Sequence, residues 1–425
     1  MNAAATDKNP APKAQDRAEA PLLAGVRVLD LTTVVFGPLT TQILADYGAD
    51  VIKIEPPEGD IMRHAGSVAS DGMGCIFLNL NRGKRSVAID LKNAEGRAVL
   101  RKLIGTADVF IHNVRRGAMD RLDLSYEAVA AINPRILYCT ATGFAKANTR
   151  ADAAAIDDVI QTSSGLAALN AGDDGVPRFV QSLLADKVAG MGLACAVLAA
   201  LYRRATTGRG GLIDVPMYET LAAFVLLEHL QGESYEPARG EIGYHRVMSA
   251  RGRRIYSAKD GYIAMTPYSG AQWAQFFRET GRAELADDPR ITDAVVRNAH
   301  VGELYDMIAT VAGTRTVAEW EALAARLGFP AQRVNSLADV AADPDLASTG
   351  TLVVREHAGI GRTRMLASPG LFDGEAARHP GVAPQFAEHT QAVLAEAGYS
   401  AGDIARLAAG GALRLARGHD AQAKP

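Results

Sequence analysis

Two periods alternate along the chain after its first twenty residues. VRVLDL (26–31) is a nearly unbroken apolar β-run, PLTTQILADYG (38–48) spaces its apolar residues helically and ends on glycine, and DVIKIEPP (50–57) is a second β-run stopped by prolines. A strand, helix and strand of these lengths make a βαβ unit, which requires parallel strands and a right-handed crossover. The pattern repeats: SVAIDL, DVFIHN and RILYCTATG read as strands, EGRAVLRKLIGTA and YEAVAAIN as helices. The fold class predicted is α/β, an open, parallel, Rossmann-like sheet in a large domain.

Further along, KVAGMGLACAVLAALYRRATTGRGG (187–211) reads as a long apolar helix ending in basic residues and glycines, which suit the negative end of the helix dipole and the C-cap. Its apolar run, Val188–Tyr202, is shorter than a bilayer span and predicts a buried helix. LIDVPMYETLAAFVLLEHL follows as strand and helix, and the polar stretch 233–254 as a linker. KDGYIAMTP then opens a smaller α+β region. The organisation expected is a tail over 1–20, a large domain over 21–232, a linker over 233–254, a small domain over 255–343, and a second linker with a return to the large domain over 344–425.

With 425 residues, 48% hydrophobic and 22% charged, the chain has the makings of a large core, and its length favours two domains. A net charge of −3 offers no electrostatic footprint for nucleic acid or anionic membrane, so an anionic ligand needs local arginines and lysines. Cys75, Cys139 and Cys195 form no CxxC pair, which suits a reducing cytoplasm, and the nine histidines show no metal-ligand spacing. The first twenty residues are rich in Ala, Pro and charge, without a signal-type apolar region, and read as a disordered tail. The first βα turn, TTVVFGP, has one glycine where a dinucleotide fingerprint needs three, and no Walker A loop occurs. Neither a bound nucleotide cofactor nor a metal is expected.

Asp186, in QSLLADKVAGM, stands just before the long helix. Residue type and place allow two readings: a helix N-cap, or an ionised carboxylate aimed out of the helix start as a nucleophile. The run FVQSLLADKVAGM with ALYRRATTGRGGLIDVPMYE resembles the signature of family III CoA transferases, the CaiB/BaiF group that includes formyl-CoA transferase, carnitine CoA-transferase and α-methylacyl-CoA racemase. Four other stretches share the resemblance in the family's order: GVRVLDLTTVVFGPLTTQILADYGADVIKIEPP, NRGKRSVAIDLKNAEGR, ADVFIHNVRRGAMDRL and AEHTQAVLAEAGYS.

The resemblance implies that Asp186 attacks an acyl-CoA thioester, and that CoA and acyl-CoA are substrates rather than bound cofactors. It implies CoA contacts from Val35, Phe36, Lys92, Asn113, Val114, Arg115 and Arg121, and a shaping role near the anhydride for Asp157, for which a helix N-cap is the competing reading. Val35 replaces a glutamine, and Pro56 an arginine, of the formyl-CoA transferase pattern. Ile156 stands where the family's racemases carry a histidine base; isoleucine moves no proton, which argues against racemization. A racemase or isomerase, and a CoA-binding paralogue without catalysis, remain the alternative readings. In place of a glycine-rich lid the chain has MSARGRRIYSAKDGYI, with Gly252 among Arg251, Arg253 and Arg254, and an arginine there is expected to read the second carboxylate of a dicarboxylate such as succinate. The resemblance also implies a homodimer of interlocked rings; the tail without a signal-type region and the unpaired cysteines suggest the cytoplasm, and the near-neutral charge argues against a nucleic-acid or membrane partner.

Overall fold

The computed structural model describes residues 21–69, 72–171, 174–244, 248, 254–376 and 381–416. The expected disordered tail over 1–20, and Arg251, Gly252 and Arg253, lie outside the described residues. The chain forms two compact units: one runs to Ala167 and includes Phe179–Ala223 and everything from Asp345; the other comprises Ala168–Arg178 and Phe224–Pro344. These limits differ from the sequence-read domains at 168–178 and 224–232. The second unit begins inside a continuous helix, Met217–His229, where periodicity has no break to show.

The first unit is built on a seven-stranded sheet. β1 (Arg27–Leu31), β2 (Asp50–Glu55), β3 (Arg85–Ile89), β4 (Val109–His112), β5 (Leu137–Thr142) and β6 (Gly211–Pro216) all pair in parallel. The spatial order is β3-β2-β1-β4-β5-β6, and the terminal strand Leu413–Arg414 is added antiparallel beside β3, with Leu413 opposite Ile89. The sheet is therefore mixed at one edge rather than wholly parallel. A two-residue strand is too short to show a period, so in the sequence it is indistinguishable from the rest of the return segment. That segment also supplies an antiparallel hairpin, Leu352–His357 with Gly361–Leu366.

β1 through β5 are near-continuous apolar runs because both sheet faces are covered. One face packs Val99, Leu100, Leu103, Ile104, Leu394 and Leu407 against Leu29, Ile52, Val87 and Phe110. α1 (Phe36–Asp46), α2 (Asp157–Ser163) and α3 (Leu184–Thr207) belong to the same unit. α3 meets α1 so closely that a side chain at Gly190 would lie 2.9 Å from the Phe36 carbonyl, and Thr40 Oγ1 donates to the Gly190 carbonyl at 2.9 Å. Its 24 residues are long and apolar enough to cross a membrane by length and composition alone. Only one face is buried, through Ala185, Ala189, Leu193, Val197 and their neighbours, while Met191 and Tyr202 stand exposed. The helix is thus half-buried rather than buried. An all-round apolar composition does not tell one covered face from two.

The second unit packs helices against an antiparallel sheet, Tyr256–Ser257, Tyr262–Met265 and Ala331–Arg333. Its core is aromatic: Trp273, Phe276, Phe277, Tyr305 and Trp320 enclose Ile263 and Ile308. Trp320 Nε1 donates to the Ala312 carbonyl at 2.7 Å, so the indole is buried without an orphan donor.

Candidate active site

The strand order reverses between β1 and β4, and in open α/β sheets ligands bind at the carboxyl ends of the strands flanking such a switch point. A cavity of about 300 Å³ lies there in the first unit. It is lined by Thr33, Val34 and Phe36 after β1, Asn113 to Arg116 after β4, Ala141 to Gly143 at the end of β5, the loop 151–156, and Asp157, Asp186 and Met217.

The turn between β1 and α1 is held rigidly. Val34 has φ of +71°, a conformation that costs a β-branched residue about 1–3 kcal/mol. The Asn113 side chain grips the neighbouring peptide, accepting from Thr33 N–H at 3.0 Å and donating to its carbonyl at 2.8 Å. Gly37 must be glycine, since a Cβ would lie 2.4 Å from that of buried Thr32. Under the turn, Asp30 accepts from Thr32, from Thr41 Oγ1 at 2.6 Å and from Lys84 Nζ at 3.0 Å. Lys53 Nζ holds the Thr32 carbonyl at 2.8 Å and pairs with Asp60 at 2.7 Å, and Arg63 grips Glu55 through two nitrogens. All six charged side chains are buried. Burial alone would raise the Asp30 carboxyl, but Lys84 and Lys53 hold it below the usual carboxylate range, while burial draws Lys84 down to about 8.

Asp186 occupies the third position of α3, not its N-cap. The cap is Leu183, which makes no side-chain capping bond. Asp157 does the capping from outside: at the first position of α2, it accepts the Asp186 backbone N–H on Oδ1 at 3.1 Å, and Gln161 Nε2 on Oδ2 at 2.5 Å. Both cap readings are therefore corrected, because an Asp preceding an apolar run need not be the residue whose own backbone starts the helix. Asp186 is 8% exposed. Burial, then the charge of Asp157, raise its carboxyl to about 6, while a hydrogen bond from the Phe36 backbone pulls the other way. It is a desolvated carboxylate with a like charge beside it, and such perturbed groups in a cavity mark candidate functional sites.

The remaining expected residues divide. Phe36, Asn113, Val114, Arg115 and Asp157 line the cavity with Asp186. Asn113 spends its amide on Thr33, so it positions the wall. Val35 is buried as the N-cap of α1 and does not line the cavity. Lys92 and Arg121 are exposed and outside it, Lys92 in the loop after β3 and Arg121 ending the helix Arg116–Arg121. In the second unit Arg254 pairs with Asp306 at 2.6 Å. Sequence reading missed Arg116, which lines the cavity on an ion pair with Asp214 at 2.9 Å; its signal was a second arginine in HNVRR and an aspartate inside the apolar strand LIDVP. It also missed the buried charges, whose signal was Asp30, Lys53 and Glu55 inside β-runs covered on both faces. Among the described residues, no group of three or more His, Cys, Asp or Glu side chains is arranged to hold a metal ion.

The chain matches the model of CoA-transferase family III over residues 23–390. It is 30% identical over 385 residues to succinate–glutarate CoA-transferase of Agrobacterium fabrum, covering 88% of this chain and 96% of that one. It is 32% identical over 414 residues to formyl-CoA:oxalate CoA-transferase of Escherichia coli, covering 91% and 98%. Among solved structures, a CaiB/BaiF family protein from Brucella suis superposes with a TM-score of 0.76 at 30% identity, over 88% of this chain and 99% of that one. Rv3272 of Mycobacterium tuberculosis gives 0.75 at 27% identity, over 88% and 99%. The chain belongs to CoA-transferase family III and is an enzyme of the CoA-transferase class.

Proposed function

We propose that this enzyme moves CoA from an acyl-CoA thioester to a free carboxylic acid, with Asp186 as the covalent nucleophile. The observation that carries the reading is a buried, like-charge-strained carboxylate at the switch-point cavity. An Asp186 oxygen attacks the thioester carbon, the C–S bond breaks, and an aspartyl–acyl anhydride forms with CoA thiolate. The thiolate attacks the aspartyl carbonyl, the first acid leaves as its carboxylate, and an aspartyl–CoA thioester remains. The second acid's carboxylate attacks that thioester, and the same steps in reverse release the new acyl-CoA. Thioester energy is conserved throughout, so the exchange consumes no ATP. Low exposure of Asp186 protects the anhydride from water.

A cavity of this size, at the small end for ligand sites, suits the reacting end of the thioester rather than the nucleotide of CoA. Lys92 follows β3 on the same sheet edge, and Lys92, Arg115 and Arg121 supply exposed cations for phosphates. The lining residues include no histidine, and Ile156, at the position where the resemblance puts a racemase base, is among them. The cited relatives act, by their names, on succinate and glutarate and on formyl-CoA and oxalate, which favours a small acid, including a dicarboxylate. The same reading takes the protein as a cytoplasmic, interlocked homodimer, for which exposed Met191, Tyr202 and Leu212 offer apolar surface to a partner; light scattering on the purified chain tests the stoichiometry. The function is tested by supplying an acyl-CoA and a second acid without ATP. New acyl-CoA supports the reading, whereas solvent exchange at the α-carbon without transfer supports a racemase.

A further inference from the structure

We infer that Arg116 selects acyl groups bearing a second carboxylate, by binding that distal carboxylate in the cavity that holds Asp186; this rests on the nucleophile reading above. Arg116 begins the helix that follows β4 and faces the same cavity. Its guanidinium is hinged by one nitrogen: Nη2 donates to Asp214 Oδ2 at 2.9 Å and to Thr142 Oγ1 at 3.4 Å. Asp214 is fixed in turn, its Oδ1 accepting from Thr140 Oγ1 at 2.5 Å and Thr142 Oγ1 at 3.1 Å. Among the described residues, Nε and Nη1 of Arg116 have no hydrogen-bond partner, and neither is sealed off from solvent. The result is a cation held in place with donors to spare, the arrangement that recognises a carboxylate with the least loss of side-chain entropy.

Charge sorts the substrate within the cavity. The lining carboxylates Asp152, Asp157 and Asp186 repel a distal carboxylate, while the reacting end of an acyl-CoA is a neutral thioester that they tolerate. Much of the wall is small and apolar, with Ala141, Ala151, Ala153 and Ala155, and Arg116 and Arg115 are its cations. A diacid thus enters with its thioester toward Asp186 and its free carboxylate toward Arg116. Arg115, exposed and without an ion pair among the described residues, is left for CoA's phosphates.

The test compares succinyl-CoA with butyryl-CoA as donors to one monocarboxylate acceptor, in wild type, Arg116→Met and Arg116→Lys. Arg116→Met should lower the ratio of kcat/KM for succinyl-CoA over butyryl-CoA about ten- to a hundredfold, the worth of a charged hydrogen-bonded pair. Arg116→Lys should recover only part of that ratio, since a point charge lacks the fork. An equal fall in kcat/KM with both donors would mean that Arg116 serves the phosphates, and unchanged kcat/KM with both that it only braces Asp214; either result overturns the inference. The same ratio taken from dissociation constants needs no turnover and reads out even if a variant is slow. Trapping of acyl or CoA on Asp186 in the wild type reports separately on the nucleophile, so the two claims fail independently.

Discussion

Replacing Asp186 by asparagine should abolish transfer and stabilise the fold. Its carboxyl is raised from 3.8 to about 6, first by burial and then by Asp157. The folded protein thus holds this proton more tightly than the unfolded chain does. Below pH 3.8 both states are protonated and the site costs nothing. The cost grows as pH rises through the interval and is complete above about 6. At about 1.36 kcal/mol per pKa unit, linkage gives a penalty of about 1 kcal/mol at pH 4.5 and about 3 kcal/mol at pH 7.5. Asparagine carries no charge but can still accept from the Phe36 backbone, so urea unfolding of Asp186→Asn should show gains of that size at the two pH values. A loss of stability, or a gain that does not change with pH, would mean that Asp186 is a well-partnered structural residue and would refute the reasoning.

Three further outcomes follow from the same geometry. Transfer should rise with pH through an apparent pKa near 6, and Asp157→Asn should move that limb lower by removing the neighbouring charge; a limb unmoved by the substitution would show that burial acts alone. Gly37→Ala forces a Cβ to within 2.4 Å of Thr32 and should cost about 1–3 kcal/mol in chemical denaturation, with a raised KM for acyl-CoA; unchanged stability would contradict the close approach. Lys84→Met leaves Asp30 buried without its closest cation and should cost about 3–5 kcal/mol by the same measurement, where a cost under about 1 kcal/mol would show the pair to be dispensable.

The βαβ pattern made most of the parallel sheet legible, because strands covered on both faces read as apolar runs whose prolines and glycines mark their ends. The terminal strand escaped because its partner, β3, lies more than 300 residues away and two residues carry no period. The cavity residues Phe36, Asn113, Val114, Arg115 and Asp157 came from family resemblance, not from spacing; no local signal says that the loops after β1 and β4 meet. The six-charge network was visible in principle, since Asp30, Lys53 and Glu55 interrupt apolar runs, but a charge inside a strand does not name its partner. The Asp186 cap reading failed for a related reason. The capping carboxylate comes from Asp157, 29 residues earlier, and only tertiary structure joins them.

The central claim is covalent chemistry on Asp186. Incubating the enzyme with an acyl-CoA and no acceptor acid, then digesting with trypsin, should yield the peptide Phe179–Lys187 carrying CoA, or a hydroxamate at Asp186 after hydroxylamine trapping. That mass shift is expected in the wild type and should be lost in Asp186→Asn. A wild-type enzyme that completes transfer with this peptide unmodified, or with the adduct on another residue, would contradict it.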